Sequence, residues 1–308
     1  MTPPPILLAG ATASGKSALA LALAERLGAV IINADSQQAY GDWRILTARP
    51  TEAEEAQAPH RLYGTLPFEE TLSAGDWVRR VLSLLEETRA AGRTALLVGG
   101  TGLYFRALTE GLVALPPVPL PIREALDARR ADDGLGALVA ELSARDPETA
   151  AGLDHANPAR VLRALEVLEA TGRGLAAWQR ETPPPALPLS AAHAFVLDGP
   201  ADWLDARIEH RLATMLSAGA LGEVSAARAR FHDRSLPGWR ALGARDLAAH
   251  LDGTIPLAQA AEAVRLATRR YAKRQRTWFR NQMPAWTRLD ATAAPDRLLQ
   301  TALKHLDT

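Results

Sequence analysis

Residues 10–17 read Gly10-Ala11-Thr12-Ala13-Ser14-Gly15-Lys16-Ser17, a match to the spacing G-x-x-x-x-G-K-[ST]. What flanks this stretch makes it decisive for the fold. Residues 6–9 are a short apolar run that reads as a strand, and residues 17–27 repeat leucine at 19, 23 and 27, a helical period. Strand, glycine-rich turn and helix N-terminus, in that order, make a cradle for phosphate. The glycines let backbone N–H groups curl around phosphate oxygens, Lys16 supplies a mobile charge, and the Ser17 hydroxyl is a ligand for Mg²⁺. The competing explanation is an ordinary strand-to-helix turn. It leaves unexplained why one of only three lysines in the chain, the others being Lys273 and Lys304, stands here. Taken alone, the pattern suggests a nucleotide hydrolase or kinase, but it establishes binding of a diphosphate or triphosphate and no more.

Outward from this loop, Gly28 closes the helix and residues 30–33 form a second apolar strand running into Asp35. Residues 77–89 carry Val78, Val81, Leu82 and Leu85 on one helical face, ahead of the buried-strand run 95–98 and the turn 99–102. Apolar strands alternating with helices predict a parallel sheet covered on both faces. The pattern then changes. Two proline-rich stretches, LPPVPLP at 115–121 and TPPPALP at 182–188, bracket only helical patterns, at 122–130, 135–142 and 158–170. A helical insertion with stiff hinges is expected there. Residues 194–197 return as a strand, and a long helix is predicted over 256–281. The expected architecture is therefore α/β: a P-loop NTPase-like parallel sheet flanked by helices, with an inserted all-helical domain. Residues 1–114 begin the core, 115–190 form the insertion, and 191–308 complete the core with basic C-terminal helices.

With 308 residues and 47% hydrophobic content, the chain has enough apolar material for one sizeable core and a smaller second unit. No apolar run approaches the length that spans a bilayer, and the first residues lack a basic segment followed by an apolar stretch, so a cytoplasmic protein without a membrane partner is expected. There are no cysteines, which excludes disulfides, thiolate zinc sites and a cysteine nucleophile. Nothing marks a self-association element, so a monomer is expected. The formal net charge of zero hides an asymmetry: residues 201–308 carry 17 basic against 11 acidic side chains. Within them, residues 265–280 hold Arg265, Arg269, Arg270, Lys273, Arg274, Arg276 and Arg280 and no acid. Positions 269, 273, 276 and 280 share one helical face. Such a run is either a solvated helix face or a surface for a polyanion. Trp278 and Phe279 belong to the apolar stripe that so long a helix needs.

Several stretches, in order along the chain, resemble the tRNA dimethylallyltransferase family. They are GATASGKS at 10–17, NADSQQAY at 33–40, LVGGTGLYF at 97–105, PARVLRALE at 158–166 and ATRRYAKRQRTWFR at 267–280. The departures cluster after Tyr40. Where the family usually reads Arg-Gly-Met-Asp-Ile-Gly-Thr-Ala-Lys-Pro, this chain has GDWRILTARP at 41–50. A usual Pro-His-His-Leu is Pro59-His60-Arg61-Leu62, and a usual Gly-Tyr-Lys-Glu is Gly243-Ala244-Arg245-Asp246.

The resemblance implies transfer of a dimethylallyl group from dimethylallyl diphosphate to N6 of the adenosine at tRNA position 37, with Mg²⁺ as cofactor and the tRNA anticodon stem-loop as partner. It assigns Gly10, Ala11, Thr12, Ala13, Ser14, Gly15, Lys16 and Ser17 to the diphosphate, with Thr12 to Ser17 on the prenyl donor; Arg207 and Arg211, one turn apart on a predicted helix, are expected to reach it. Asp35 is the candidate general base, since the amine is a poor nucleophile and a carboxylate should take its proton. Asp35 is otherwise a Mg²⁺ ligand or a helix N-cap. Thr101 is expected to contact the adenosine, or else to satisfy its own turn. Contacts to tRNA are implied for Asp35, Ser36, Gln37, Gln38, Thr101, Arg123, Ala159, Arg160, Val161, Leu162 and Arg163. Arg163 has an alternative partner in Glu166, one turn on. The rival functions are a small-molecule kinase, an isopentenyltransferase acting on free adenine nucleotide, and a non-enzymatic RNA-binding protein. The helical insertion and basic helix argue against the first, Arg160 and Arg163 against the second, and the intact Lys16, Ser17 and Asp35 set against the third.

Overall fold

In the computed structural model, which describes residues 3–306, six strands form one sheet with every pairing parallel, in the order β3-β2-β4-β1-β5-β6. They are β1 (Ile6–Gly10), β2 (Val30–Asn33), β3 (His60–Arg61), β4 (Ala95–Gly99), β5 (His193–Asp198) and β6 (Thr287–Asp290). The four inner strands are aliphatic runs because both faces of the sheet are buried, as a parallel sheet requires. β3 and β6 escaped the sequence reading. They are short, polar edge strands, and their residues show neither an apolar run nor alternation.

The chain divides into two compact units, Met1–Thr109 with Leu187–Thr308, and Glu110–Ala186. The first holds the sheet and the helices α1 (Lys16–Leu27), α2 (Glu52–Gln57), α3 (Ala74–Ala90) and α4 (Gly102–Thr109). The second holds α5 (Leu120–Arg145), α6 (Pro147–Ala151), α7 (Pro158–Thr171) and α8 (Leu175–Gln179), after which the first resumes with α9 (Ala201–Ser217), α10 (Ala220–Arg230), α11 (Ala244–Leu251), α12 (Leu257–Gln282) and α13 (Pro295–Leu306). Alternate residues of β1 serve opposite layers. Ile6 and Leu8 pack with Leu19 and Leu23 of α1 and Leu298 of α13, while Leu7 and Ala9 face Trp77 of α3, Phe105 of α4 and Phe279 of α12. A further cluster, built on Trp43, Phe68, Phe231 and Trp239, joins the loop after β2 to α10 and α11. The helical unit has its own core of Leu126, Leu138, Leu142, Val161 and Leu165. The two helices expected at 122–130 and 135–142 run together as α5 with a break at Gly134, whose φ of 80° interrupts the helix. None of the helices among the described residues is long and apolar enough to cross a membrane.

The parallel arrangement delivers the loops after β1, β2 and β4 to one edge of the sheet, the edge at which open α/β sheets bind ligands. Trp77 steadies that edge from beneath: it is 1% exposed, stacks on Tyr104 at 4.7 Å, and donates its indole N–H to the Asn33 carbonyl at 2.8 Å. Trp77→Ala should lower unfolding free energy by about 3–5 kcal/mol, the usual cost of emptying a buried aromatic site. Trp77→Phe should cost less, since it keeps the ring and loses the hydrogen bond, and denaturant titration of both variants checks the order.

Candidate active site

The glycine-rich loop turns on two left-handed residues, Ala13 (φ 63°) and Gly15 (φ 93°). Its compactness explains Gly10: a Cβ there would lie 2.7 Å from Ser14 Oγ and 3.2 Å from the Leu197 carbonyl. α1 starts at Lys16 with no side-chain cap, so the amides of its first turn have no partner within the helix. Two loop amides are already engaged, Thr12 N–H by Gln275 Oε1 at 2.8 Å and Ser14 N–H by the Ala11 carbonyl at 3.2 Å. The Ser14 hydroxyl is buried without a partner among the described residues.

Cations converge on this turn. Lys16 is 7% exposed, and burial depresses its proton affinity; Asp35 opposes that shift and Arg211 adds to it. Arg207 donates from Nε to the Ala13 carbonyl at 2.7 Å, its guanidinium lying over the Trp203 ring. Arg211, one turn further along α9, lines the cleft beside Lys16, and burial also lowers its proton affinity. Burial leaves this cluster short of negative charge. Beyond it the same cleft is walled by Leu46, Ile208, Leu212, Met215, Leu242 and Val264. One end is thus an anion site, and the rest combines this aliphatic wall with the polar side chains of Gln37, Gln38, Thr47, Thr268 and Tyr271.

Asp35 faces the cationic end and is 6% exposed. Its backbone N–H is held by Asn33 Oδ1 at 2.8 Å, and its own Oδ1 accepts from Gln37 N–H at 3.0 Å. One carboxylate oxygen therefore serves the local turn and Oδ2 is turned toward Gly100. Thr101 does not spend its hydroxyl on its own turn. Oγ1 accepts from Ser36 N–H at 2.9 Å and lies 3.2 Å from Ser36 Oγ. Burial, with the nearby Asp35 charge, raises the Tyr271 phenol above its ordinary range and keeps it neutral. Gln37 and Gln38 point into loops: Gln37 Oε1 accepts from Leu242 N–H at 3.0 Å, and the Gln38 amide donates to the Thr47 carbonyl at 3.1 Å and to that of Ala48.

The structure thus gathers Thr12, Lys16, Ser17, Asp35, Gln37, Gln38 and Arg211 around one cleft, with Arg207 at the loop and Thr101 bonded to Ser36, next to Asp35. Arg123, Ala159, Arg160, Leu162 and Arg163 belong to the helical unit and form a group of their own. There Ala159, Arg160 and Arg123 are exposed, and Glu166 pairs with Arg163 at 3.1 Å and with Arg123 at 3.9 Å. Val161 is fully buried in that unit's core, so its side chain is unavailable to any ligand, contrary to the expectation for the whole 159–163 stretch. The basic run of α12 is likewise divided. Arg269 pairs with Asp205 at 2.8 Å and Arg276 with Asp198 at 3.1 Å, while Arg270, Lys273, Arg274 and Arg280 are exposed. Trp278 and Phe279 pack into the main core, as expected. Among the described residues no group of three or more His, Cys, Asp or Glu side chains forms a metal site.

An IPP transferase family model matches residues 38–282, a span that begins just after Asp35. A tRNA dimethylallyltransferase of Cereibacter sphaeroides is 56% identical over 282 residues, covering 92% of this chain and 87% of that protein. One from Dinoroseobacter shibae is 54% identical over 283 residues, covering 92% and 93%. Among solved structures, the full-length tRNA isopentenylpyrophosphate transferase of Bacillus halodurans aligns with a TM-score of 0.70 at 30% identity, over 99% of this chain and 97% of that one. A eukaryotic dimethylallyltransferase acting on tRNA, at 23% identity, shares the fold, with a TM-score of 0.80 over 99% and 80% of the two chains.

The segment after Tyr40 is built by packing and by one carboxylate. Trp43 is fully buried and donates to the Gly238 carbonyl at 2.8 Å. Glu223 of α10 accepts from three consecutive amides, those of Arg44 and Ile45 on Oε1 (2.6 and 2.9 Å) and that of Leu46 on Oε2 (2.8 Å). This loop end carries Leu46 and Thr47 into the cleft. Glu223→Ala should release it. Charge-assisted bonds are worth roughly 1.5–3 kcal/mol each and do not sum fully, so a stability loss on the order of 2–4 kcal/mol is expected. Hydrogen exchange should accelerate most at the amides of residues 44–46.

Proposed function

This chain belongs to the IPP transferase family and is an enzyme of tRNA dimethylallylation, and from that premise we propose how its residues divide the work. The carrying observation is that one cleft joins a cationic, helix-N-terminal end to an apolar wall. A diphosphate ester with a short hydrocarbon tail fits both halves. The aliphatic wall of Leu46, Ile208, Leu212, Met215, Leu242 and Val264 suits the hydrocarbon tail of dimethylallyl diphosphate better than the ribose of a nucleoside triphosphate. The loop then acts as a P-loop NTPase-like cradle, with the diphosphate on the first amides of α1 and between Lys16, Arg207 and Arg211. The Ser17 hydroxyl, which lines the cleft beside Lys16, would hold Mg²⁺. When bound, it would offset the charge of the departing diphosphate.

The adenosine at position 37 leaves the anticodon-loop stack and presents N6 to the prenyl carbon. The N6–C1 bond forms as the C1–O bond breaks, and the diphosphate leaves with the bonding pair. Fixed amides and cations stabilise the charge that develops on it. Asp35 Oδ2, with Oδ1 anchored by Gln37 N–H, takes the proton from N6. Thr101 meets the base while braced by Ser36. Arg123, Arg160 and Arg163 of the helical unit meet phosphates of the anticodon stem-loop.

Incubation with dimethylallyl diphosphate, Mg²⁺ and either unmodified tRNA, AMP or ATP should prenylate tRNA alone; tRNA-stimulated ATP hydrolysis without prenyl product would overturn the reading. Lys16→Ala should slow transfer by about 10² or more, as removal of a charge-stabilising donor does elsewhere. Asp35→Asn should bind both substrates yet lose about 10² to 10⁴ in single-turnover rate. If Asp35 instead served the metal, donor affinity would fall and extra Mg²⁺ would partly restore the rate.

A further inference from the structure

We propose that Gln275 is a positioning residue for the transfer step, setting the separation between the donor cradle and the Asp35–Thr101 side of the cleft. The inference rests on the reading of the cleft given above. Gln275 lies in the last third of the most basic helix of the chain, yet it is 5% exposed and carries no charge. Its amide bridges two loops that follow different strands. Oε1 accepts from Thr12 N–H at 2.8 Å in the loop after β1, and Nε2 donates to the Gly100 carbonyl at 2.9 Å in the turn after β4. β1 and β4 are hydrogen-bonded neighbours, so the side chain extends their pairing beyond the point where the strands end.

Gly100 shows how tightly the bridge is set. A Cβ at that position would collide with Gln275 Nε2 and would also lie 3.0 Å from Asp35 Oδ2. The amide and the catalytic carboxylate therefore rest on one small surface that only a glycine leaves open. Shifting the amide shifts the turn that carries Thr101 relative to the loop that holds the donor. Reacting groups misplaced by about 1 Å cost on the order of 10²-fold in rate. The geometry also selects the residue type. The bridge needs an acceptor at one end and a donor at the other. An ionised glutamate offers only acceptors, methionine fills the volume with neither, and asparagine is a methylene too short to span both loops.

The test compares Gln275→Met and Gln275→Glu with the wild type, measuring thermal stability, affinity for tRNA, affinity for dimethylallyl diphosphate, and single-turnover transfer at saturating levels of both. The expected result is a rate lower by about 10- to 100-fold in both variants, with each affinity within about threefold of wild type and Gln275→Met melting close to it. A Gln275→Met rate within threefold of wild type would overturn the proposal. So would a loss that appears as weakened substrate binding or a lowered melting temperature with the saturated rate preserved, since that would make Gln275 structural only. Wild-type protein that binds tRNA and transfers no prenyl group would instead bring down the reading of the cleft, and this proposal with it.

Discussion

Everything at the working edge depends on how closely the ends of β2 and β4 approach each other. Beyond their last ladder bonds, Ala34 donates to the Val98 carbonyl at 2.8 Å and accepts from Thr101 N–H at 3.2 Å. The approach is possible because residue 99 is glycine: any side chain there would run into the Ala34 carbonyl. Two loops that would otherwise splay with the sheet's twist are thereby joined. Asp35 and Thr101 become neighbours through backbone contact, and their side chains need only complete the arrangement. The Thr101 hydroxyl does so by bonding to Ser36, so the acid and the hydroxyl are braced by the same short path. Such bracing places chemistry on a rigid scaffold, where small errors of position are costly.

Most of this edge was legible in the sequence because it follows from strong local signals. A glycine-rich octapeptide between an apolar run and a leucine-periodic helix has few alternatives, and buried parallel strands announce themselves as aliphatic runs. Arg207 and Arg211 were legible only as two arginines one turn apart on a helix, and the fold supplied their place at the loop and the cleft. Gln275 and Tyr271 were hidden by the charges around them. The signal for Gln275 exists nonetheless: with Val264, Ala272 and Phe279 it occupies the buried stripe of α12. A polar side chain on an apolar stripe must find buried partners, which is reason to ask where they are. Glu223 had no such mark, because a glutamate on a surface helix is ordinary until a loop folds onto it. The unusual residues after Tyr40 became intelligible only with the tertiary fold, which spends Trp43 on a distant aromatic cluster.

Charge tells a similar story at lower resolution. Counting predicted a basic C-terminal third, and the fold then sorted those charges by neighbour. Arg269 and Arg276 are tied to acids from β5 and α9, and exposed ion pairs of this kind contribute little to stability. Their effect is to fix which cations remain outward. In the helical unit Glu166 holds Arg123 and Arg163 side by side, a doubly engaged carboxylate that an incoming phosphate would have to replace. Preorganisation of this kind lowers the entropy lost on binding, at the expense of breaking the pairs.

The base of the helical unit carries a consequence for how the chain reaches this state. Leu187 N–H donates to the Leu108 carbonyl at 3.1 Å, so the main unit closes its own backbone across the point where the chain departs and returns. β5 must find β1, its partner in the sheet, from far along the chain. Non-local pairings of this sort are slow, because entropy is lost before any contact rewards it. An insertion with its own core would, if organised before β5 docks, replace a long flexible tether by a short one. Each halving of effective loop length recovers about 0.6 kcal/mol of closure entropy. A helical insertion with its own core would therefore, if it formed first, shorten the search that β5 must make for its sheet.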